Sequence, residues 1–69
     1  MVDIGKNIRR LRQEKEITQT ALAQKLGVTC QAVSKWETSV NFPDIALVPR
    51  IAELLGVTIG ELFAEWERK

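Results

Sequence analysis

The sequence predicts an all-α fold of five short helices, formed by one domain of residues 1–69 with its regular part from about 4 to 66. Three observations lead to this prediction. Apolar residues recur three or four positions apart, as they do on one face of a helix. No segment alternates apolar and polar residues as a half-buried strand does. Capping residues and glycines divide the chain into short segments, each long enough for a few helical turns.

Composition excludes several ways of stabilising or using such a small domain. A chain of 69 residues with one cysteine has no intrachain disulfide, and the absence of histidine excludes a Cys/His zinc cluster. We expect packing alone to hold the fold, without a metal or cofactor. No leader and no apolar run near 18 residues are present, which predicts a soluble, cytoplasmic protein. An enzyme is the weakest functional class, because Cys30 has no evident base.

Charge is distributed unevenly, although the net charge is only +1. Residues 1–38 hold seven Lys/Arg against four Asp/Glu, whereas residues 39–69 hold three against five. The first part is therefore basic by +3 and the remainder acidic by −2. Such asymmetry permits a polyanionic partner, although a basic run on a helix is more often a solvated face.

The first three helices follow from apolar spacing and caps. Ile4, Ile8 and Leu11 predict a first helix from about Ile4 to Lys15. Thr18 is a good N-cap for a second helix, which buries Leu22, Ala23 and Leu26 and stops at Gly27. Thr29 is the next cap, so a third helix begins about three residues after the second ends. Such a short connection sets two helices at a steep angle.

The tetrapeptide "LGVT" occurs at 26–29 and again at 55–58. We interpret both copies as a helix end followed by a new cap, not as an internal repeat. In the second copy Thr58 and Glu61 form a capping box that starts a fifth helix at Ile59. Pro49 prefers the first turn of a helix, so the fourth helix is expected from Val48 to Leu55, with residues 44–47 as a turn or a short separate piece.

The segment "GVTCQAVSKWE" at residues 27–37 has two sides of different character. Val33 and Trp36 are large, apolar and on one side, whereas Gln31, Ser34 and Lys35 lie opposite. A solvated helix usually carries Glu/Lys pairs on its outer side. Here the outer side offers short polar side chains, which suit close approach to another surface. Gln can pair with adenine in a major groove and Lys can reach guanine or phosphate; ordinary solvent exposure is the competing interpretation.

The run "TQTALAQKLGVTCQAVSKWE" resembles the helix-turn-helix core of phage-repressor (Cro-like, Xre-type) DNA-binding domains, which have a lambda-repressor-like fold. Residues of "FPDI" and "AELLGVTIGELF" extend the resemblance over roughly residues 4–63. It implies a regulator of transcription whose third helix lies in the major groove of double-stranded DNA while the second helix crosses the backbone.

The resemblance also implies roles for individual residues. Gln19 and the amides that open the second helix would hold a phosphate. Bases or nearby phosphates would be contacted by four side chains of the third helix and its cap: Thr29, Cys30, Gln31 and Lys35. Ser34 would contact the DNA backbone.

Glu37 falls nearer to Trp36 and Val33 than to the outer side of its helix, where an unpaired carboxylate would be costly. Arg12 lies at the border of the first helix's apolar stripe, and family members commonly pair these two positions. We therefore expect an Arg12–Glu37 ion pair that positions the third helix.

Two positions depart from the family pattern. Ser39 replaces the usual glycine after "WET", and because a left-handed serine costs roughly 1 kcal/mol we expect the helix to end by another route. Cys30 stands where relatives often have Arg or Gln. It is interpreted as a small apolar contact, with thiol sensing as the less favoured alternative.

The C-terminal residues raise the question of partners. Phe63 is expected in the core, whereas Trp66 could either close the core or, with Leu62, form a dimer contact. A homodimer would place two half-sites about 34 to 36 Å apart. The alternative function is a protein-interaction module, such as an antitoxin-like partner that uses this apolar edge.

Overall fold

The computed structural model describes residues 3–64 of the chain. This part contains five α-helices and one 3₁₀ turn. In chain order they are α1 (Ile4–Glu14), α2 (Gln19–Leu26), α3 (Cys30–Glu37), the 3₁₀ turn (Ile45–Leu47), α4 (Val48–Leu55) and α5 (Ile59–Leu62). No strand occurs between residues 3 and 64. The all-α prediction is confirmed, as is the short separate piece before Pro49, which lies in the first turn of α4.

The two "LGVT" stretches have nearly the same backbone. Gly27 and Gly56 both adopt left-handed conformations, with φ of 74° and 72°, at the ends of α2 and α4. Two residues later, Thr29 and Thr58 accept hydrogen bonds from the amides of Ala32 and Glu61. Each stretch therefore stops one helix and starts the next, because left-handed glycine satisfies the last carbonyls and threonine satisfies the first amides.

Helices α1 and α3 end in the same way without glycine. Glu16 and Ser39 are left-handed, with φ of 58° and 65°. Beyond α3, the Val40 amide donates to the Lys35 carbonyl at 2.9 Å, which completes a Schellman motif. The expectation that α3 ends by another route was wrong. The Ser39 hydroxyl lies 3.1 Å from both carboxylate oxygens of Asp3, the N-cap of α1, and donates a hydrogen bond there.

One apolar core joins all five helices. The largest side chains with essentially no exposure are Ile8, Leu22, Val33, Ile51, Leu55 and Leu62. Leu62 was expected at a dimer contact, and this is wrong: it is the anchor of the short helix α5 and has 0% exposure. Phe63, expected in the core, is 38% exposed instead, because α5 ends at Leu62. Trp66 lies outside the described residues.

Two buried residues of α1 set its distance from its neighbours. Gly5 packs against the backbone of Trp36 and Glu37, so close that a Cβ at Gly5 would collide with the Trp36 carbonyl. Asn7, 5% exposed, donates from Nδ2 to the carbonyls of Leu62 and Ala64, both at 2.8 Å. Helix α1 therefore locates both α3 and the end of α5.

Candidate nucleic-acid interface

Helices α2 and α3 form a close pair joined by only three residues, 27–29. Val33 is fully buried and Trp36 is 5% exposed, so the inner side of α3 belongs to the core. Helix α3 packs mainly against α2 and α1. Its outer side is left uncovered by the rest of residues 3–64.

Gln31 and Lys35 occupy this outer side, and both are exposed. Neither side chain makes a hydrogen bond or ion pair with any of residues 3–64. Ser34 lies between them and is half-buried, as is Ala32 on the flank. Two long polar side chains therefore stand free on a helix whose neighbouring residues are small. A helix of this shape can enter a DNA major groove, which is about 12 Å wide.

Thr29 and Cys30 lie at the start of α3, and their side chains have partners within the domain. The Thr29 hydroxyl accepts from the Ala32 amide at 3.1 Å, as an N-cap does. Cys30 is half-buried and turned towards the first turn of α2, with Sγ 3.7 Å from Thr20 Oγ1 and 3.9 Å from Gln19 Oε1. Cys30 thus lies in the seam between the two helices.

Arg12 and Glu37 form a buried ion pair beneath this pair of helices. Arg12 Nε donates to Glu37 Oε2 at 2.7 Å and Arg12 Nη2 donates to Glu37 Oε1 at 3.0 Å. Their side chains are 11% and 2% exposed. The third guanidinium nitrogen, Nη1, donates to the Ile17 carbonyl at 2.8 Å. One arginine therefore links α1, the α1–α2 connection and the last residue of α3.

Gln19 completes the hydrogen-bond network around Glu37. The sequence did not predict this contact of Gln19. Its Nε2 donates to Glu37 Oε1 at 2.9 Å, so that Glu37 accepts three hydrogen bonds. The first residue of α2 is thereby tied to the last residue of α3. This hydrogen bond helps to orient the two helices, and the phosphate contact expected of Gln19 stays a prediction.

Two further residues were missed by sequence reasoning, although each left a signal. Asn7 interrupts the apolar stripe of Ile4, Ile8 and Leu11, and a polar residue in such a stripe indicates a buried hydrogen bond. Gly5 is an isolated glycine inside a helical pattern, which indicates a close backbone approach. The Asp3–Ser39 contact left no signal, since it joins residues far apart in the sequence.

Among residues 3–64 there is no group of three or more His, Cys, Asp or Glu side chains placed to hold a metal ion. None of the helices in that range is both long and apolar enough to cross a membrane.

Similarity to known proteins agrees with the geometry of α2 and α3. The sequence profile of the helix-turn-helix family matches residues 8–62, which is most of the chain. The chain therefore belongs to the helix-turn-helix family.

Individual relatives and structures extend this comparison. The HTH-type transcriptional activator BcrR of Enterococcus faecalis is 33% identical over 63 residues, which are 91% of this chain and 31% of BcrR. The P22 c2 repressor in complex with synthetic operator 9T matches with a TM-score of 0.80 and 30% identity, covering 87% of this chain and 91% of that one. SinR, a master regulator for biofilm formation solved in complex with DNA, matches with a TM-score of 0.79 and 29% identity, covering 88% and 98%.

The chain spans 31% to 50% of the length of the curated relatives it matches. The similarity to these proteins is therefore a similarity to one of their parts.

Proposed function

We propose that this chain is the DNA-binding part of a cytoplasmic transcription regulator, which binds double-stranded DNA with α3 in the major groove. The observation that carries the proposal is the outer side of α3, where Gln31 and Lys35 are exposed and unpartnered among residues 3–64. Relatives with this fold include proteins solved in complex with DNA, which gives the proposal independent support.

Within this proposal, Gln31 reads a base, because its amide can donate and accept in the paired manner that adenine requires. Lys35 reaches either guanine or a phosphate. Ser34 contacts the DNA backbone, and Thr29 and Cys30 form the flank of the interface. At the start of α2, backbone amides hold a phosphate with help from the helix dipole, while the side chain of Gln19 supports Glu37.

The chain acts as a homodimer in this proposal, because one such module discriminates too little against a genome of competing sites. Two symmetric half-sites about 34 to 36 Å apart would correct this. The loop after α3 has Asn41 but no basic residue between positions 38 and 43, so few phosphate contacts are expected there and the salt dependence is shallow.

Selection of duplexes from a random pool, followed by measured affinities for the selected site, tests the proposal. Gln31→Ala is expected to weaken binding by about 1 to 3 kcal/mol and to relax the preference at one base pair. Lys35→Ala weakens binding to all duplexes alike, and lowers the salt slope, if Lys35 contacts a phosphate; it relaxes one base preference if Lys35 contacts guanine.

Gln13→Ala and Lys15→Ala are matched controls, because these exposed residues have the same side-chain types but lie at the C-terminal end of α1, outside α3. Lys15 lies beside Gly56 rather than near α3. Both controls should bind the selected duplex as the unchanged chain does. Failure of the chain to bind any duplex at low ionic strength, or unchanged binding by both α3 variants, contradicts the proposal.

A further inference from the structure

The side chain of Gln19 contacts both ends of α3. Its Nε2 donates to Oε1 of Glu37, the last residue of α3, at 2.9 Å. Its Oε1 lies 3.9 Å from Sγ of Cys30, the first residue of α3. Gln19 itself is the first residue of α2 and is half-buried. One amide group therefore joins the start of α2 to the two ends of the next helix.

The groups around this amide determine which way it is turned. The carboxylate of Glu37 also accepts two hydrogen bonds from Arg12, and an ionised carboxylate has only acceptors. The amide nitrogen of Gln19 therefore faces Glu37, whereas the amide oxygen faces the thiol of Cys30, which is a weak donor. Turning the amide over would place two oxygens against each other, so the side chain of Gln19 has one favoured orientation.

Cys30 and Glu37 lie on one side of α3, because seven residues make almost two full turns. This side is neither the inner side, which carries Val33 and Trp36, nor the outer side. Burial of Val33 and Trp36 stabilises α3 without a strong dependence on angle, since the hydrophobic effect is non-directional. A hydrogen bond, by contrast, weakens steeply with distance and angle. The contacts of Gln19 therefore restrain the rotation of α3 about its own axis.

Two contacts with α1 hold only the last turn of α3. Arg12 binds Glu37, and Gly5 packs against the backbone at the end of the helix. Gln19 differs from both, because it also reaches Cys30 at the start of α3. A helix restrained at its two ends has less freedom to turn than one restrained at a single end.

Base reading by Gln31 is sensitive to this rotation. The tips of side chains lie about 5 to 6 Å from the axis of a helix, so a rotation of about 10° moves a tip by about 1 Å. A hydrogen bond of about 3.0 Å is lost once its two atoms are about 3.6 Å apart. Paired contact with adenine requires two such bonds at once. The base preference of Gln31 therefore depends on whatever sets the rotation of α3.

We propose that Gln19 is a positioning residue for base recognition: its contacts with Glu37 and Cys30 set the rotation of α3, and with it the base preference of Gln31. This inference rests on the proposed function and deepens it, because it assigns specificity to a residue that touches no base. It is separate from the phosphate contact expected of Gln19, since Nε2 carries two hydrogens and Glu37 accepts one of them.

Gln19→Met tests the inference, because methionine has a similar length but no hydrogen to donate. Base preference is measured as the ratio of the affinities for the selected duplex and for a duplex changed at the base pair that Gln31→Ala relaxes. Gln19→Met should lower this ratio by about threefold or more. In a chain that already carries Gln31→Ala it should lower the ratio no further, since the preference is already lost. A lost phosphate contact instead weakens binding to both duplexes alike and leaves the ratio unchanged.

Two further variants complete this experiment. Gln24→Met is the matched control, since Gln24 is exposed on the same helix and its side chain makes no hydrogen bond within residues 3–64. It should keep the ratio of the unchanged chain. Gln19→Lys restores a donor to Glu37 and should keep the ratio within about twofold, although the added charge strengthens binding to every duplex. Circular dichroism checks that each variant is folded, and Gln19→Lys remains decisive if Gln19→Met is not.

The rotation of α3 is also measured without DNA. Residual dipolar couplings of the backbone amides report the orientation of each helix in the DNA-free chain. In Gln19→Met, α3 should be rotated relative to α2 by about 10° or more, the angle that moves a side-chain tip by about 1 Å. In Gln24→Met the two helices should keep the orientation of the unchanged chain.

Three results overturn this inference: a ratio that Gln19→Met leaves unchanged, an equal loss of the ratio with Gln24→Met, or an α3 that keeps its orientation in DNA-free Gln19→Met. The two kinds of measurement separate the inference from the proposed function. If Gln31→Ala relaxes the base preference but Gln19→Met does not, the inference alone fails. If α3 rotates in DNA-free Gln19→Met but the unchanged chain binds no duplex, the proposed function alone is contradicted.

Discussion

Gly5 of α1 packs directly against the backbone carbonyl of Trp36 in α3, with no room for even a methyl group between the two helices. The carbonyl carbon of Trp36 would lie 2.8 Å from a Cβ at Gly5. This contact determines how near the proposed recognition helix comes to the rest of the domain, because backbone on backbone leaves no flexible side chain to move aside.

Replacing Gly5 with alanine should therefore destabilise the domain by about 2 to 3 kcal/mol or more, since helix α3 must shift to accommodate the methyl group. Helix propensity alone predicts the opposite sign, a gain of about 1 kcal/mol. The control is Gly60→Ala in α5, where the nearest atom to the new Cβ is Thr58 Oγ1 at 3.8 Å and a gain of about 0.5 kcal/mol is expected. Urea unfolding measures both, and equal effects at the two positions would contradict the steric argument.

The buried ion pair predicts a large effect from a small chemical change. Glu37→Gln keeps the shape of the side chain but leaves the guanidinium of Arg12, whose side chain is 11% exposed, without its counter-charge. Breaking one partner of such a pair costs about 3 to 5 kcal/mol, which should appear as a lower midpoint of thermal or urea unfolding.

Glu53→Gln is the matched control for that change, because it removes the same charge from an exposed pair with Arg50 and should cost less than about 1 kcal/mol. Replacing both buried partners, Arg12→Met with Glu37→Leu, should cost less than the sum of the losses that Arg12→Met and Glu37→Leu cause separately. Strict additivity of those losses would mean that the two charges do not stabilise each other.

The hydrogen bonds of Asn7 predict that the stability of the domain depends on whether the side chain at position 7 donates or accepts. Its Nδ2 donates to the carbonyls of Leu62 and Ala64. Asn7→Ala should cost about 1 to 3 kcal/mol, because two carbonyls lose a buried donor. Asn7→Asp should cost more at neutral pH, since a carboxylate would then face two carbonyl oxygens.

The exposed Asn41 supplies the comparison: Asn41→Asp should change the free energy of unfolding by less than about 0.5 kcal/mol. A larger loss from Asn7→Ala than from Asn7→Asp would show that Asn7 contributes packing rather than donated hydrogen bonds.

Glu16 and Ser39, which are left-handed without being glycine, predict different responses to substitution by glycine. Glu16→Gly relieves a strain of about 1 to 2 kcal/mol and adds entropy to the unfolded chain, so a net gain near 0.5 kcal/mol is expected. Ser39→Gly relieves the same strain but also loses the hydroxyl contact with Asp3, and so should be neutral or destabilising. Thermal unfolding compares them, and an equal gain at both positions would mean that the Asp3–Ser39 contact contributes nothing.

Local sequence determined most of the secondary structure, because the signals act within a few residues. Thr18, Thr29 and Thr58 each accept a hydrogen bond from an amide three positions later, and glycine needs no tertiary support to adopt a left-handed conformation. The same local reasoning failed at Ser39. Its side chain is held by Asp3, 36 residues away, and no spacing rule connects the two positions.

The candidate interface was also predicted only in part from the sequence. Periodicity alone placed Val33 and Trp36 inside and Gln31 and Lys35 outside, since the side of a helix that a residue occupies follows from its position. Which polar atoms remain available was not contained in that pattern. Gln19, expected to point at a phosphate, donates to Glu37, because folding brings the first residue of α2 beside the last residue of α3.

The sequence by itself determined the helices, their ends and the two sides of α3, since these depend on side-chain spacing and caps within one or two turns. Only the tertiary structure decided how close α1 comes to α3 through Gly5, and that Leu62 is buried rather than available to a partner. The physical reason is that burial and close approach depend on how segments distant in the sequence pack together. The free energy of this packing comes from all the helices.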